Sequence, residues 1–128
     1  MNVLLDTSAY SALQRGDRRV LTVLQRSETV AMPVVVLGEL HSGFRAGTHR
    51  VENEEALTRF LGKSSVRILN VTEETAVRYA EVDVFLRKKG RPIPRNDVWI
   101  AAIALEHGLQ ILTLDVHFRQ IPLLAIQP

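Results

Sequence analysis

The chain has no cysteine. That excludes disulfides, thiolate metal sites and cysteine nucleophiles, and it fits a reducing cytosol. Aromatic residues make up 5% of the chain, with a single Trp. This is too few for a base-stacking platform to supply most of an affinity for nucleic acid. No apolar run approaches the length of a membrane span. The first run, Val3-Leu4-Leu5, is too short for a signal segment and is followed at once by Asp6. The expectation is a soluble, cytoplasmic protein with no membrane partner. No serine lies in a Gly-x-Ser-x-Gly pattern, so a serine nucleophile on that type of turn is not expected either.

What the chain does have is enough apolar material for one core. A length of 128 residues with 46% hydrophobic content reads as a single domain over 1–128, burying about two-thirds of its surface on folding. The net charge is only +2, but the cations are clustered. Arg87, Lys88, Lys89, Arg91 and Arg95 crowd one short stretch, and Arg15, Arg18 and Arg19 form a smaller group. Arg45, His49 and Arg50 form another. Taken alone, such groups read as solvated loops and helix ends. If acids elsewhere are buried, the exposed surface is more basic than the net charge suggests, and a phosphate-bearing partner fits.

Those acids are the chain's most informative feature. Asp6 follows Val3-Leu4-Leu5, and Glu39 interrupts Val34-Val35-Val36-Leu37-Gly38-Glu39-Leu40. Asp97 directly precedes Val98-Trp99-Ile100-Ala101-Ala102-Ile103, and Asp115 follows Ile111-Leu112-Thr113-Leu114. A carboxylate against an apolar surface is costly unless it is paired, hydrogen-bonded or bound to a metal. Repeated along the chain, the pattern implies one convergent acidic site that needs a cation.

The chain alternates short strands with helical stretches. Strands are expected at Val3–Leu5, Thr29–Met32, Val66–Leu69, Gln110–Leu112 and Leu123–Ile126. Asp6-Thr7-Ser8 offers cap chemistry for a helix through Leu13, and Asp17 for a second with Val20, Leu21 and Leu24 on one face. Pro33 fits the first position of a helix carrying Val36, Leu40 and Phe44 and ending near Gly47. A helix from Arg50 to Leu61 stops at Gly62. Thr72-Glu73-Glu74 opens another that ends at Gly90. The last begins at Pro94 or Asn96, reaches His107 and closes at Gly108. It is apolar on nearly every side and therefore largely buried. This order predicts an α/β fold, a three-layer α/β/α sandwich on a mostly parallel sheet of four to five short strands. Ligands bind outside the carboxyl ends of such strands, where Asp6 and Asp115 fall.

Each acid alone has a purely structural reading. Asp6 caps the first helix, and Asp97 answers the macrodipole of the last one. Asp115 starts the turn into His117-Phe118, and Glu39 snorkels to solvent. Jointly they suit a hard cation, Mg²⁺ with Mn²⁺ as a substitute. Such an ion binds a phosphoryl oxygen and acidifies water. Acids with surrounding arginines then point to phosphodiester hydrolysis. Two other Mg²⁺ chemistries fit poorly. A haloacid-dehalogenase-like phosphohydrolase needs a second acid where Ser8 stands, and a receiver domain needs an aspartate where Val66–Leu69 is followed by Asn70. A non-catalytic RNA- or protein-binding module remains as the non-enzyme alternative.

The motifs resemble those of the PIN-domain ribonucleases, in particular the VapC toxins of toxin–antitoxin pairs. Leu4-Leu5-Asp6-Thr7-Ser8 is similar to the family's first acid and following hydroxyl residue. The Pro33–Leu40 stretch resembles its second acid on a helix. Ile93–Ala102 is similar to its third acid before an alanine-rich helix. Leu112–Phe118 resembles its last acid with phenylalanine three residues later. The resemblance implies a metal-dependent endoribonuclease, a homodimer, and a small VapB-like antitoxin whose C-terminal segment occupies the site. It places Asp6, Glu39, Asp97 and Asp115 as catalytic and metal-holding residues. Ser8 and Thr113 are expected as supporting hydroxyls. Arg15, Arg87, Lys88, Lys89, Arg91 and Arg95 are expected to bind RNA. His41 and His117 are expected to be surface or packing residues.

Overall fold

Val3, Leu4 and Leu5 point alternately to opposite faces of a strand, yet all are fully buried. Both faces of that strand are therefore covered. The computed structural model, which describes residues 1–128, shows the cover as helices. The sheet consists of β1 (Asn2–Leu5), β2 (Thr29–Pro33), β3 (Val66–Leu69), β4 (Gln110–Leu112) and β5 (Ile126–Gln127), in the order β3-β2-β1-β4-β5. Every neighbouring pair is parallel. Between strands lie α1 (Thr7–Gln14), α2 (Arg18–Arg26), α3 (Val34–Ala46), α4 (Arg50–Leu61), α5 (Glu73–Lys88) and α6 (Arg95–His107). The predicted α/β architecture holds, with a sheet that is parallel throughout.

The chain lays down β1, β2 and β3 in one direction, then crosses back to place β4 and β5 on the other side of β1. The order reverses between β1 and β4. At such a reversal the connections leave to opposite sides, and a crevice opens at the carboxyl ends of the two strands.

Local chemistry explains most boundaries. The Asp17 carboxylate accepts from the Arg19 and Val20 amides at 2.9 and 3.4 Å and starts α2. Thr72 and Thr75 form a reciprocal box at the start of α5. The Glu106 carboxylate of α6 accepts from both hydroxyls and ties the two helices together. Gly108 ends α6 with φ +64°, the left-handed conformation that costs a glycine least. Within α6, Val98 and the run Ile100 to Ala104 are buried, as its apolar surround predicts.

Two boundaries differ from expectation. Pro33 is the last residue of β2 and caps α3 from outside, so the helix begins at Val34. Proline's fixed φ of −65° suits either place, and here its ψ of 144° is extended. The final strand is not Leu123–Ile126 but the shorter β5. Leu123 has φ +66° and is 97% exposed, so the backbone turns there instead of running extended. The apolar residues that anchor this region lie earlier. Phe118 and Ile121 are buried on a short 3₁₀ turn, Val116–Gln120, and the residue after it.

Candidate active site

Asp6 is the residue after β1. Its carboxylate is held so that it cannot swing away. Oδ1 accepts from the Ala9 amide at 2.8 Å, making Asp6 the N-cap of α1, and from the Ser8 hydroxyl at 2.8 Å. Oδ2 accepts from the Thr113 hydroxyl just beyond β4. Thr113 in turn accepts from the Asp115 amide at 2.9 Å, and Ser8 accepts from the Leu114 amide at 3.1 Å. Two hydroxyls thus clip the segment after β4 to the start of α1, across the crevice where the strand order reverses. Ser8 and Thr113, expected as supporting hydroxyls, both donate to the Asp6 carboxylate.

The other three acids arrive from separate elements. Glu39 lies in α3, five residues beyond its start at Val34, and its Oε1 accepts from the Thr7 hydroxyl at 2.7 Å. Asp97 stands in the first turn of α6. Asp115 caps the 3₁₀ turn by accepting from the His117 amide at 2.9 Å. All four carboxylates line one cleft of about 340 Å³, together with Thr7, Ser8, Ser11, Pro94, Ile100 and His117. The structural readings of Asp6, Asp97 and Asp115 are therefore correct and incomplete. Asp6 and Asp115 each cap a helix with one carboxylate oxygen, Asp97 stands in the first turn of α6, and all three line the common cleft as well.

Crowding acids in this way shifts their protonation. Burial raises the Asp6 pKa above its ordinary value, opposed by its hydrogen bonds from Thr113, Ala9 and Ser8, with the Asp97 charge adding to the rise. Burial also raises Asp97, against the lowering hydrogen bond to His117, while the charges of Asp115 and Glu39 push the same way as burial. Both acids would bind a cation more favourably than they bear their own charge.

His117 is the residue that sequence reasoning misplaced. Its Nδ1 lies 3.0 Å from Asp97 Oδ2 and 3.0 Å from Asp115 Oδ1. The ring is part of the acidic cluster, and the hydrogen bond to Asp97 raises its pKa above the usual histidine value. The available signal was its spacing two residues after Asp115, where the 3₁₀ turn folds the ring back over the cap. His41 fits its expected role, sitting edge-on to Phe44 at 6.0 Å between ring centroids.

The cationic stretch splits. Arg87, Lys88, Lys89, Arg91 and Arg95 are exposed on the end of α5, the loop after it and the first residue of α6. None of them is among the residues that line the cleft. Arg95 reaches the Tyr79 hydroxyl at 3.4 Å, Arg87 pairs with Asp83 at 2.7 Å, and Lys89 sits 5.7 Å over the Phe85 ring. Arg15 is at the far end of α1 from Thr7, roughly 12 Å along the axis at 1.5 Å per residue. Like the other cations, it is not among the residues that line the cleft. Beside the cleft, sharing Glu39 with it, lies a second hollow of about 740 Å³ that includes Asn96 and Trp99.

The arrangement has the features of a cation-assisted hydrolase: convergent oxygen donors from four segments in one cleft. Comparisons agree. The family model described as PIN domain matches residues 3–124. The chain is similar to Ribonuclease VapC5 of Mycobacterium tuberculosis, with 31% identity over 115 residues covering 90% of this chain and 84% of that protein. Among solved structures, VapBC2 from Rickettsia felis, bound to a DNA fragment from its promoter, superposes with TM-score 0.87. Identity there is 26%, covering 99% of this chain and 98% of that one. VapBC-5 from Mycobacterium tuberculosis, a member of the VapBC family of toxin-antitoxin systems, gives TM-score 0.78 at 27% identity, covering 98% and 95%. With the matched residues spanning all four acids, the chain belongs to the PIN-domain family and, within it, to the VapC ribonucleases.

Proposed function

We propose that this chain, a single domain over 1–128, is an endoribonuclease that acts as the toxin of a toxin–antitoxin pair in the cytosol. One observation carries the reading. Four carboxylates from four separate segments line a single cleft at the carboxyl edge of the sheet. Membership of a ribonuclease family supplies the substrate class.

The donor set fits a hard divalent cation. The cleft offers carboxylate oxygens, that of Asp6 buried and those of the other three acids half-buried, and no sulfur. Asp6, Glu39, Asp97 and Asp115 would hold Mg²⁺, or Mn²⁺ in its place. Such an ion supplies charge neutralisation for a phosphoryl oxygen and a lowered pKa for water. The protein's own part is positioning. Ser8 and Thr113 fix Asp6, Thr7 fixes Glu39, and the Val116–Gln120 turn fixes Asp115. The cations from Arg87 to Arg95 attract the RNA backbone and orient it along the cleft.

Inhibition by a small VapB-like protein follows from the same electrostatics. An arginine or lysine on an inserted segment would pair with the carboxylates and compete with the cation. The relatives solved as VapBC complexes support that partner, and a homodimer is expected of the toxin. The test is cleavage of a mixed RNA substrate by the purified chain. EDTA should abolish cleavage and Mg²⁺ restore it. Asp97→Asn should lower the rate by about a hundredfold or more, and its expression should be harmless where the wild-type chain arrests growth. Equal growth arrest by both would overturn the nuclease toxin reading.

A further inference from the structure

The cluster of Asp97, Asp115 and His117 has a geometry that carboxylates alone would not require. His117 Nδ1 is equidistant, at 3.0 Å, from one oxygen of each acid. One ligand atom from each of the three lies within 4.8 Å of the other two. Adjacent ligands about 2.1 Å from an octahedral ion lie about 3.0 Å apart, and opposite ones about 4.2 Å. Two of the three separations, at 3.0 Å, match adjacent ligands around one ion, and the third lies within 4.8 Å.

The ring is also held in place by backbone. The His117 amide donates to Asp115 Oδ1 at 2.9 Å, so the turn that caps on Asp115 fixes the start of the imidazole side chain. The next residue, Phe118, is fully buried and anchors the turn in the core. The side chain is 40% exposed and Asp97 only 14%, so the ring stands at the mouth of the cleft with the acid behind it.

We infer that His117 Nδ1 is a ligand, with Asp97 and Asp115, to the cation bound in this cleft, and that it biases the site toward Mn²⁺ over Mg²⁺. This rests on the carboxylate-site reading above. Mg²⁺ prefers oxygen donors throughout, whereas imidazole nitrogen favours the transition-metal series. One nitrogen added to an oxygen site therefore changes discrimination more than it changes affinity for Mg²⁺. Protein binding energy is thus spent on choosing the ion.

The test uses the full chain with Mn²⁺ alone and Mg²⁺ alone, in calorimetry, for wild type, His117→Ala, His117→Gln and Asp97→Asn. Both His117 variants should bind Mn²⁺ about tenfold or more weakly while Mg²⁺ affinity changes by less than about threefold. Electron spin-echo modulation of bound Mn²⁺ should show nitrogen coupling in the wild type, and this should vanish in both variants. Circular dichroism of the apo proteins controls for folding, and the pair of variants separates loss of the ligand from loss of side-chain volume. Unchanged Mn²⁺ affinity in both variants, or bound Mn²⁺ without nitrogen coupling, overturns the assignment of His117. If Asp97→Asn loses both ions in that case, the carboxylate site stands without His117. If wild type binds neither ion, both readings fall.

Discussion

Asp6 does two things at once, and substitutions can separate them. Its Oδ1 caps α1 while the carboxylate as a whole adds negative charge to a buried cluster. Asn caps a helix about as well as Asp, and the Thr113 hydroxyl can rotate to accept from an amide. Asp6→Asn should therefore abolish cleavage while the melting temperature in EDTA stays level or rises. Asp6→Ala removes the cap as well and should cost about 1 kcal/mol. A clear loss of stability in Asp6→Asn would argue against a repulsive cluster.

The same shifts set a pH dependence for the metal-free protein. Asp6 and Asp97 have folded pKa values raised above the ordinary 3.8, chiefly by burial. The folded state then holds protons that the unfolded state has released. Stability should fall as pH rises from about 3.8 through those raised values. His117 is raised above 6.5, chiefly by its hydrogen bond to Asp97. Its stabilisation is fully present below that value and is lost as pH rises through the folded pKa. Melting curves in EDTA from pH 4 to 9 should show both declines; His117→Ala should remove the upper one and, by taking away the hydrogen bond that lowers Asp97, move the lower one to higher pH. Saturating Mn²⁺ should flatten the profile.

Each helix here ends or begins on a residue with a specific reason to be there, and those reasons predict unequal sensitivity. Gly108 closes α6 in the left-handed region, and a Cβ added there meets nothing within 4 Å. The cost of Gly108→Ala is therefore conformational, about 1 kcal/mol, and urea unfolding should show it without loss of activity. The clip between β4 and α1 is different. Thr113 is 4% exposed and both donates to Asp6 and accepts from the Asp115 amide. Thr113→Val leaves the buried Asp6 oxygen and the half-buried Asp115 amide without this partner and should cost about 1–3 kcal/mol together with most of the activity. Thr113→Ser should restore both. Nearly every helix boundary was legible in sequence because capping is local: Asp17, Gly47, Gly62, Thr72 and Gly108 act within one turn. The last strand was not. Leu123–Ile126 has strand composition, but a left-handed backbone at Leu123 shortens it, and composition carries no record of that turn.

Across the whole molecule, four of the fourteen acids line the cleft while several others pair with surface cations, and the stretch from the end of α5 into the following loop leaves Lys88 and Arg91 exposed. RNA affinity of an inactive variant should fall steeply with salt, because each neutralised phosphate releases counterions. Neutral substitution of Lys88 and Arg91, which form no ion pair in the fold, should flatten the logarithmic salt slope by about one unit each. The same change at Arg15, far along α1 from the cleft, should leave it nearly unaltered. A slope insensitive to Lys88 and Arg91 would remove this loop from the RNA path.

Much of this site could be read before any coordinates. The cost of setting a carboxylate against an apolar run marks Asp6, Glu39, Asp97 and Asp115 wherever they stand in the chain, and strand–helix alternation places the first and last of them at a sheet edge. These are local facts of composition and period. Three things depended on how distant segments pack. The strand order puts the crevice between β1 and β4, because pairing of strands far apart in sequence is a property of the sheet. Glu39 reaches the cleft because α3 packs against α1, where the Thr7 hydroxyl donates to it. And His117, a bland residue in a short turn when seen as sequence, joins the cluster because Asp97, twenty residues earlier, is carried to it by a helix packed against that turn.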